Sequence, residues 1–210
     1  MATKRKSFSG SLKSGKVKTN NHPAAAKAKA ELRRLVLDEV GADRAAVFDA
    51  FAGDGKMFEA VWSRAAQYTG CDLVWYRDQR TAFVADNRRV LRAIALDRFN
   101  IFDLDAYGSP WEQALIVADR RPVASGERIG MLLTEGSGLN LKLGGMSLAL
   151  RTLAGFRKGV VGTSRQQDTV IDMAIAGLCR KMRTRVIRRW QAKGHTGAAM
   201  RYIALILEGL

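Results

Sequence analysis

Cysteine and histidine are scarce in this chain of 210 residues. The cysteines are Cys71 and Cys179, and the histidines are His22 and His195. A disulfide framework needs more cysteines than these, and a zinc site needs clustered cysteine or histidine ligands. We therefore expect both cysteines to pack in the core and the protein to use no metal.

Long apolar runs are also missing. No uninterrupted apolar stretch approaches the roughly 20 residues that span a bilayer. The start of the chain, from Met1 to Lys6, lacks the apolar segment of a secretory signal. These absences predict a protein that does not bind a membrane and that lies in the cytoplasm.

Acidic residues are outnumbered, with 20 Asp and Glu against 35 Lys and Arg and a formal charge of +15. Such an excess favours a polyanionic partner, because bound phosphates release their counterions, although charge alone does not separate RNA from DNA. Residues 1–20 contain cations and no acid, which predicts a flexible basic N-terminal arm that either aids solubility or grips phosphate. Residues 21–210, in a chain that is 47% hydrophobic, are predicted to form one domain.

A second stretch without acids runs from Ala174 to Leu207, where cations accumulate. Uncompensated cations repel one another unless a polyanion neutralises them, so we expect phosphate contacts here. The glycine-rich loop that follows the fifth strand adds further cations and is expected to close over a target base. The predicted nucleic-acid-binding residues are Lys142, Arg183, Arg185, Arg188 and Arg189.

Apolar strand-like runs alternate with amphipathic helical stripes along the chain. Strands are predicted at 46–50, 68–71, 82–85, 99–104 and 129–134, and the end of the chain reads as a hairpin of 184–190 and 201–207. Helices are predicted at 23–40, after the glycines of 53–55, and at 87–97, 111–119, 145–156 and 165–181. This alternation predicts an α/β fold: a Rossmann-like, doubly wound, seven-stranded, mostly parallel sheet with a C-terminal antiparallel hairpin.

A glycine-rich turn, Asp49-Ala-Phe51-Ala-Gly53-Asp-Gly55, follows the first strand. Such a turn lets the backbone approach a nucleotide at the carboxyl end of the sheet. Phe58 stands where a dinucleotide fingerprint needs a small residue, which disfavours a nicotinamide cofactor. The spacing instead resembles the first motif of class I S-adenosylmethionine-dependent methyltransferases.

That resemblance implies S-adenosylmethionine as cofactor, bound by Asp49, Phe51, Gly53 and Gly55. It also implies roles for two acids at the next strand ends. Asp72 would accept hydrogen bonds from the ribose hydroxyls, with Leu73 or Val74 beside the adenine, and Asp86 would bind the adenine amino group. The alternative for each carboxylate is that it caps a following helix.

A second turn, Asp105-Ala106-Tyr107-Gly108-Ser109-Pro110, follows the fourth strand. Methylation of an exocyclic base amine needs a nitrogen held in line with the methyl group, and a carboxylate can accept the amine hydrogens and stabilise the developing charge. We expect Asp105 to do this and Tyr107 to stack on the base. The alternative is an ordinary turn with Tyr107 packed in the core.

The hexamer resembles the Asp-Pro-Phe-Gly-Ser-Pro motif of the tRNA guanine-N2 dimethyltransferase family, and Leu133-Thr134-Glu135 is similar to a segment of that family after the fifth strand. The resemblance covers roughly residues 46–139 and implies a catalytic set of Asp105, Tyr107 and Pro110. Ala106 replaces the proline of the motif. More loosely, the turn is similar to the Asp-Pro-Pro-Tyr motif of DNA amino-methyltransferases.

Taken together, these patterns predict a methyltransferase that acts on an exocyclic amine of a nucleic-acid base, with RNA slightly favoured. One alternative is a DNA adenine-N6 or cytosine-N4 methyltransferase. Another is a non-catalytic nucleic-acid-binding protein on the same fold, and a third is a methyltransferase for a protein or a small molecule.

Overall fold

A computed structural model describes residues 23–157, 166–193 and 200–210 of the protein. The strands are β1 (Ala46–Asp49), β2 (Gln67–Asp72), β3 (Ala82–Val84), β4 (Ile101–Leu104), β5 (Arg128–Glu135), β6 (Thr184–Lys193) and β7 (Arg201–Gly209). The helices are α1 (Pro23–Val40), α2 (Lys56–Ala60), α3 (Asn87–Ala93), α4 (Trp111–Arg120), α5 (Gly138–Lys142), α6 (Leu148–Ala154) and α7 (Gln167–Met182). The predicted N-terminal arm and the tip of the terminal hairpin, including His195, lie outside the described residues.

The strands form one seven-stranded sheet in the order β3-β2-β1-β4-β5-β7-β6. β1 to β5 are parallel to one another, and β7 runs antiparallel between β5 and β6. The predicted α/β fold, with its mostly parallel sheet and its C-terminal antiparallel hairpin, is therefore confirmed. Because the strand order reverses between β1 and β4, loops there diverge to opposite faces and leave a crevice for a ligand.

Two apolar clusters sandwich this sheet, as the apolar runs in the central strands require. Val47 of β1 and Ile101 of β4 face one side, where α1 packs, while Phe48 and Phe102 face the other. The second side is covered by α3, α4, α6 and α7. Each central strand is thus buried on both faces, and its carboxyl end is held rigidly in place.

The helix after the glycine-rich turn is shorter than the apolar stripe predicts. α2 ends at Ala60, and the chain continues as a 3₁₀ turn over Trp62–Arg64. Val61 and Trp62 are nevertheless fully buried, so the stripe packs as expected on the side of α1. The break allows the Trp62 indole N–H to donate to Asp103 Oδ2 at 2.8 Å.

The last helices are also displaced slightly from their predicted bounds. α6 begins at Leu148 because Ser147 caps it, accepting a hydrogen bond from the Leu150 amide at 3.2 Å. The glycine-rich segment after β5 contains the short α5 instead of an open loop. Among the described helices, none has the length and apolar character needed to cross a membrane.

Candidate functional site

The two turns singled out by the sequence leave the sheet side by side. β1 and β4 are neighbours, and Asp49 is paired with Asp103 at their carboxyl ends. The Ala50 amide still donates to the Asp103 carbonyl at 2.9 Å, so the chains diverge only after these residues. The end of β5 joins them, because the Gly136 amide donates to the Gly108 carbonyl at 2.5 Å. The three strand ends together form one candidate site.

The glycine-rich turn has the backbone geometry that its sequence predicts. Gly53 and Gly55 have φ angles of 48° and 87°, a region that side chains rarely tolerate. Asp49 stabilises the turn by accepting hydrogen bonds from the Phe51 amide at 3.1 Å and from the Tyr68 hydroxyl at 3.0 Å. Burial and the neighbouring charge of Asp103 raise the pKa of Asp49 to about 8.

Asp72 lies directly against this turn. Its Oδ2 accepts from the Gly53 amide at 3.0 Å, and its Oδ1 accepts from the Val74 amide at 2.9 Å. A pocket adjoins the carboxylate and is lined partly by Val74, Trp75, and Phe83. Of the two residues expected beside an adenine, Val74 lines this pocket, whereas the Leu73 side chain is 74% exposed.

Arg80 is a part of the turn that the sequence did not reveal. Its guanidinium donates to the Ala52 carbonyl at 2.9 Å and to the Gly53 carbonyl at 2.8 Å, and it is held by Asp78. A side chain at Gly55 would come within 3.0 Å of this guanidinium. Gly55 therefore leaves space for Arg80, which stabilises the turn through these hydrogen bonds.

Asp86 is placed at the end of β3, as predicted, but its carboxylate already has local partners. It caps α3 by accepting from the Arg88 amide, and the Arg88 guanidinium binds both oxygens at 2.9 and 2.6 Å. These hydrogen bonds lower the pKa of Asp86 to about 2. The structure thus shows a helix cap here, and the adenine-binding role stays a prediction.

Asp105 is the carboxylate at the end of β4, and two cations from α1 hold it. Lys29 Nζ lies 2.7 Å from its Oδ1, and an Arg33 nitrogen lies 3.1 Å from its Oδ2. Burial alone would raise the pKa of Asp105, but the charges of Arg33 and Lys29 lower it below the ordinary value. The two cations therefore favour the ionised form of Asp105, although only 14% of its side chain is exposed.

Asp103, on the same face of β4, is fully buried under α1. Arg33 binds its two oxygens at 2.6 and 2.7 Å, and the Trp62 indole binds it as well. Arg33 and Trp62 are both buried, so this carboxylate fixes α1 and the 3₁₀ turn to the sheet. Arg33 also links Asp103 to Asp105.

Tyr107 and Pro110 take different positions in the second turn. The Tyr107 side chain is 82% exposed, which contradicts the alternative in which it packs in the core. Space beside Gly108 is open, with no atom within 4 Å of the position that a side chain would take. Pro110 is buried and begins α4. Ala106, where the related motif has proline, is also buried.

A buried polar cluster lies behind this turn. Glu135 is fully buried at the end of β5, and one of its oxygens accepts from the Ser137 amide. Burial raises the pKa of Glu135. Its other oxygen, the Trp111 indole nitrogen and the Ser109 hydroxyl have no hydrogen-bond partner among the described residues.

Three of the four predicted nucleic-acid-binding arginines have counter-charges, so the premise that they lack them is wrong for these three. Arg185 pairs with Glu208 at 2.6 Å, and Arg189 pairs with Asp172 at 2.7 Å. Arg188 lies 3.4 Å from Glu39 of α1. Asp172 and Glu208 flank the acid-free stretch at its two ends, and Glu39 belongs to α1, so none of these acids lies within the stretch itself. Exposed pairs of this kind contribute about 0–1 kcal/mol, so phosphates could replace the carboxylates.

Two of the predicted cations give less information. Arg183 is exposed at the end of α7 and forms no ion pair with any described residue. The side chain of Lys142 lies outside the described part of the structure. Phosphate contacts by the five cations therefore stay a prediction. Within the described ranges, no group of three histidine, cysteine or acidic residues is arranged to hold a metal ion.

Comparison with solved structures shows which class of fold this is. The chain is similar to Trm1 from Pyrococcus horikoshii in complex with S-adenosyl-L-methionine (TM-score 0.58, 14% identity), covering 88% of this chain and 56% of that one. It is also similar to the N-methyltransferase NodS from Bradyrhizobium japonicum in complex with S-adenosyl-L-homocysteine (TM-score 0.55, 12% identity), covering 90% and 89%.

A third similar structure is magnesium protoporphyrin IX methyltransferase from Synechocystis with bound SAH (TM-score 0.52, 11% identity), covering 89% of this chain and 84% of that one. No protein-family profile matches the chain, and no curated protein sequence matches it either. The chain therefore has the fold of class I S-adenosylmethionine-dependent methyltransferases. At these identities the similarity establishes the fold and leaves the substrate to the residues of the site.

Proposed function

We propose that this protein transfers a methyl group from S-adenosylmethionine to an exocyclic amine of a nucleic-acid base. The observation that carries the proposal is the juxtaposition of the two turns. A glycine-rich turn with a carboxylate beside it follows one strand. An acidic turn with an exposed aromatic residue follows the neighbouring strand, and the two strands are paired at their carboxyl ends. A methyl donor bound by the first would face an amine bound by the second.

The cofactor half of the site fits S-adenosylmethionine. Gly53 has open space where a side chain would stand, so a ligand can approach its backbone. Asp72 uses backbone amides to fix its carboxylate and retains further acceptor capacity for ribose hydroxyls. Val74 and Phe83 offer apolar surface in the adjoining pocket, which suits a purine. When bound, S-adenosylmethionine would supply an electrophilic methyl group on its sulfonium sulfur.

The substrate half supplies a fixed hydrogen-bond acceptor. We assign to Asp105 the binding of the amine hydrogens, which orients the nitrogen lone pair toward the methyl carbon. The nitrogen–carbon bond forms as the carbon–sulfur bond breaks, and the nitrogen then releases one proton to Asp105 and on to water. Tyr107, exposed beside the open space of Gly108, is positioned to stack on the base.

The assignment of the substrate to nucleic acid rests on charge and on the acidic turn. A formal charge of +15 and the exposed arginines of β6 favour a polyphosphate partner. The motif resemblance favours RNA slightly over DNA. In duplex nucleic acid the base would have to leave the stack, at a cost of a few kcal/mol that an unpaired base avoids.

Methyl incorporation tests this proposal. The purified protein is incubated with S-adenosylmethionine labelled in the methyl group, together with total RNA and genomic DNA. We expect acid-precipitable label that RNase removes, and we expect Asp97→Asn, which changes an exposed acid before β4, to retain it. Label removed only by DNase would favour the adenine-N6 or cytosine-N4 alternative. Label removed by protease, or none in any acceptor, would contradict the proposal.

A further inference from the structure

Lys29 and Arg33 lie one helical turn apart on the face of α1 that covers the candidate site. Both are buried, with 8% and 2% of their surfaces exposed, although lysine and arginine are rarely buried unless they are paired. Their partners are the two aspartates of β4. The helix therefore brings two cations to the carboxylate that we assign to the substrate amine.

The two cations have different tasks. Arg33 binds Asp103 through two nitrogens and donates from a third to the Lys29 carbonyl at 3.0 Å. The charge of Arg33 is thus largely matched by Asp103. Arg33 also contacts Asp105, at the longer distance of 3.1 Å. Lys29 contacts Asp105 as its ionic partner and lies over the Tyr202 ring, 5.4 Å from the ring centre. The charge of Asp105 is matched by Lys29 and Arg33 together, and Lys29 is the one of these two cations that has no other carboxylate partner among the described residues.

Asp105 keeps acceptor capacity despite this pairing. Its Oδ1 lies 2.7 Å from the Lys29 ammonium, but the contact does not have the geometry of a directed hydrogen bond. A carboxylate oxygen has two lone-pair directions, so Oδ1 retains acceptor capacity while the ion pair persists. Because Oδ1 is buried in this structure, a substrate amine would have to displace the groups that cover it.

We propose that Lys29, with Arg33, is a positioning residue that holds Asp105 ionised and correctly oriented for the substrate amine. The inference rests on the proposed role of Asp105. It makes α1, which precedes both recognised motifs, an integral part of the active site. Without the Lys29 charge, a carboxylate this deeply buried would take up a proton at a higher pH and so lose, over that pH range, the acceptor that the amine needs.

Other charged and titratable groups face Asp105, and each has to be considered in a pH experiment. Asp103 of β4 is an acidic neighbour of Asp105 and interacts in turn with Asp49 of β1, and the charge of Asp105 raises the pKa of Tyr202 of β7. Thr134 of β5 lowers the pKa of Asp105 through its hydroxyl. Lys29 and Arg33 are the cations among these groups, so removal of Lys29 should have the clearest effect.

A carboxyl titration tests the inference without any substrate. Aspartate labelled with carbon-13 at the side-chain carboxyl is followed by NMR from pH 3 to 9, and Asp105→Asn identifies the resonance of Asp105. We expect Lys29→Met to raise the pKa of Asp105 by roughly 1 to 3 units, the usual effect of losing an opposite charge at this distance. Lys29→Arg should keep it low, as should Lys27→Met, which removes an exposed lysine of the same helix.

An Asp105 resonance that titrates identically in wild type and in Lys29→Met would overturn the inference. If Lys29→Met does not fold, Lys29→Gln gives the same comparison with a polar side chain. Methyl transfer to total RNA provides a second readout: the acid limb of the kcat profile should move upward by the same amount, with the KM for S-adenosylmethionine unchanged. A wild type that transfers no methyl would refute the proposed function, whereas the titration would still decide the role of Lys29.

Discussion

Asp72 and Asp105 lie at the same edge of one sheet, where the parallel strands end, but different groups surround the two carboxylates. Asp72 is fixed by two backbone amides, from Gly53 and Val74, and adjoins a pocket. Asp105 is mostly buried and is held by two cations of α1. Neutral donors suit a carboxylate that binds neutral hydroxyls, while cations suit one that must stay ionised in a poorly solvated place. This difference is the one we expect between the acid proposed to bind the cofactor and the acid proposed to bind the substrate.

Removal of the Asp105 charge should have the largest effect on activity. Asp105→Asn keeps the shape but loses the negative charge and replaces one acceptor oxygen with an NH₂ donor, and we expect methyl transfer to fall roughly 10²- to 10⁴-fold. Cofactor affinity should change little, because the Asp105 contacts lie on the α1 side of the site. Asp97→Asn, at the other end of β4, is the matched control, measured by initial rates with labelled cofactor. Equal losses of cofactor affinity and rate would mean that the two acids share one role.

Substitution of Asp72 should instead weaken cofactor binding and leave the pH dependence of methyl transfer unchanged. Asp72→Ala loses hydrogen bonds to a carboxylate, each of which contributes about 1.5–3 kcal/mol, so cofactor affinity should fall about 10- to 100-fold for each hydrogen bond lost. The pH dependence of the remaining activity should stay that of wild type, since Asp105 and Lys29 are untouched. Equilibrium dialysis with labelled S-adenosylmethionine measures the affinity. Unchanged affinity would remove Asp72 from the cofactor site.

Asp49 lies between the two acids, and its raised pKa predicts a pH-dependent stability. Between the ordinary aspartate pKa and about 8, the folded protein binds a proton that the unfolded chain has released. Stability from this group is therefore present at low pH and is lost as the pH rises toward 8. Asp49→Asn should weaken this decline, as followed by urea unfolding at pH 5, 6, 7 and 8. A parallel pH profile in wild type and variant would show that Asp49 is ionised throughout.

Substitution of Asp86 should have the smallest effect on cofactor binding, because local groups already bind its carboxylate. Asp86→Ala should cost about 1 kcal/mol of folding free energy through the lost cap of α3, while Asp86→Asn should restore most of it. If Asp86 also binds the adenine amino group, Asp86→Asn should weaken cofactor binding by a few fold, less than Asp72→Ala does. Calorimetric titration of both variants separates the cap from the cofactor contact, and unchanged binding in both would leave Asp86 as a cap alone.

The sequence predicted the elements that depend on local patterns. The apolar runs at β1 and β4 and the proline and glycine flanking α1 are sufficient signals for those elements, and the turns after β1 and β4 follow from their glycines. Strand order placed those turns together. What local patterns could not give is the pairing of groups far apart in the chain, such as Lys29 with Asp105 or Arg80 with Gly53.

One signal for the α1 cations was nevertheless present. Lys29 and Arg33 fall in phase with the buried residues Ala25, Leu32 and Val36. A charged residue within the buried stripe of an amphipathic helix requires a partner from the surface that the stripe covers. The paired arginines of β6 show the opposite case, since nothing in their own stretch indicates Glu39 or Asp172.

Calorimetric titration of the wild-type protein with S-adenosylhomocysteine tests the central claim most directly, because both halves of the proposed site depend on the glycine-rich turn and Asp72 binding this class of ligand. We expect binding with one ligand for each chain, weakened in Asp72→Ala and retained in Asp105→Asn. An absence of binding heat at several temperatures, together with no displacement of labelled S-adenosylmethionine, would contradict the account.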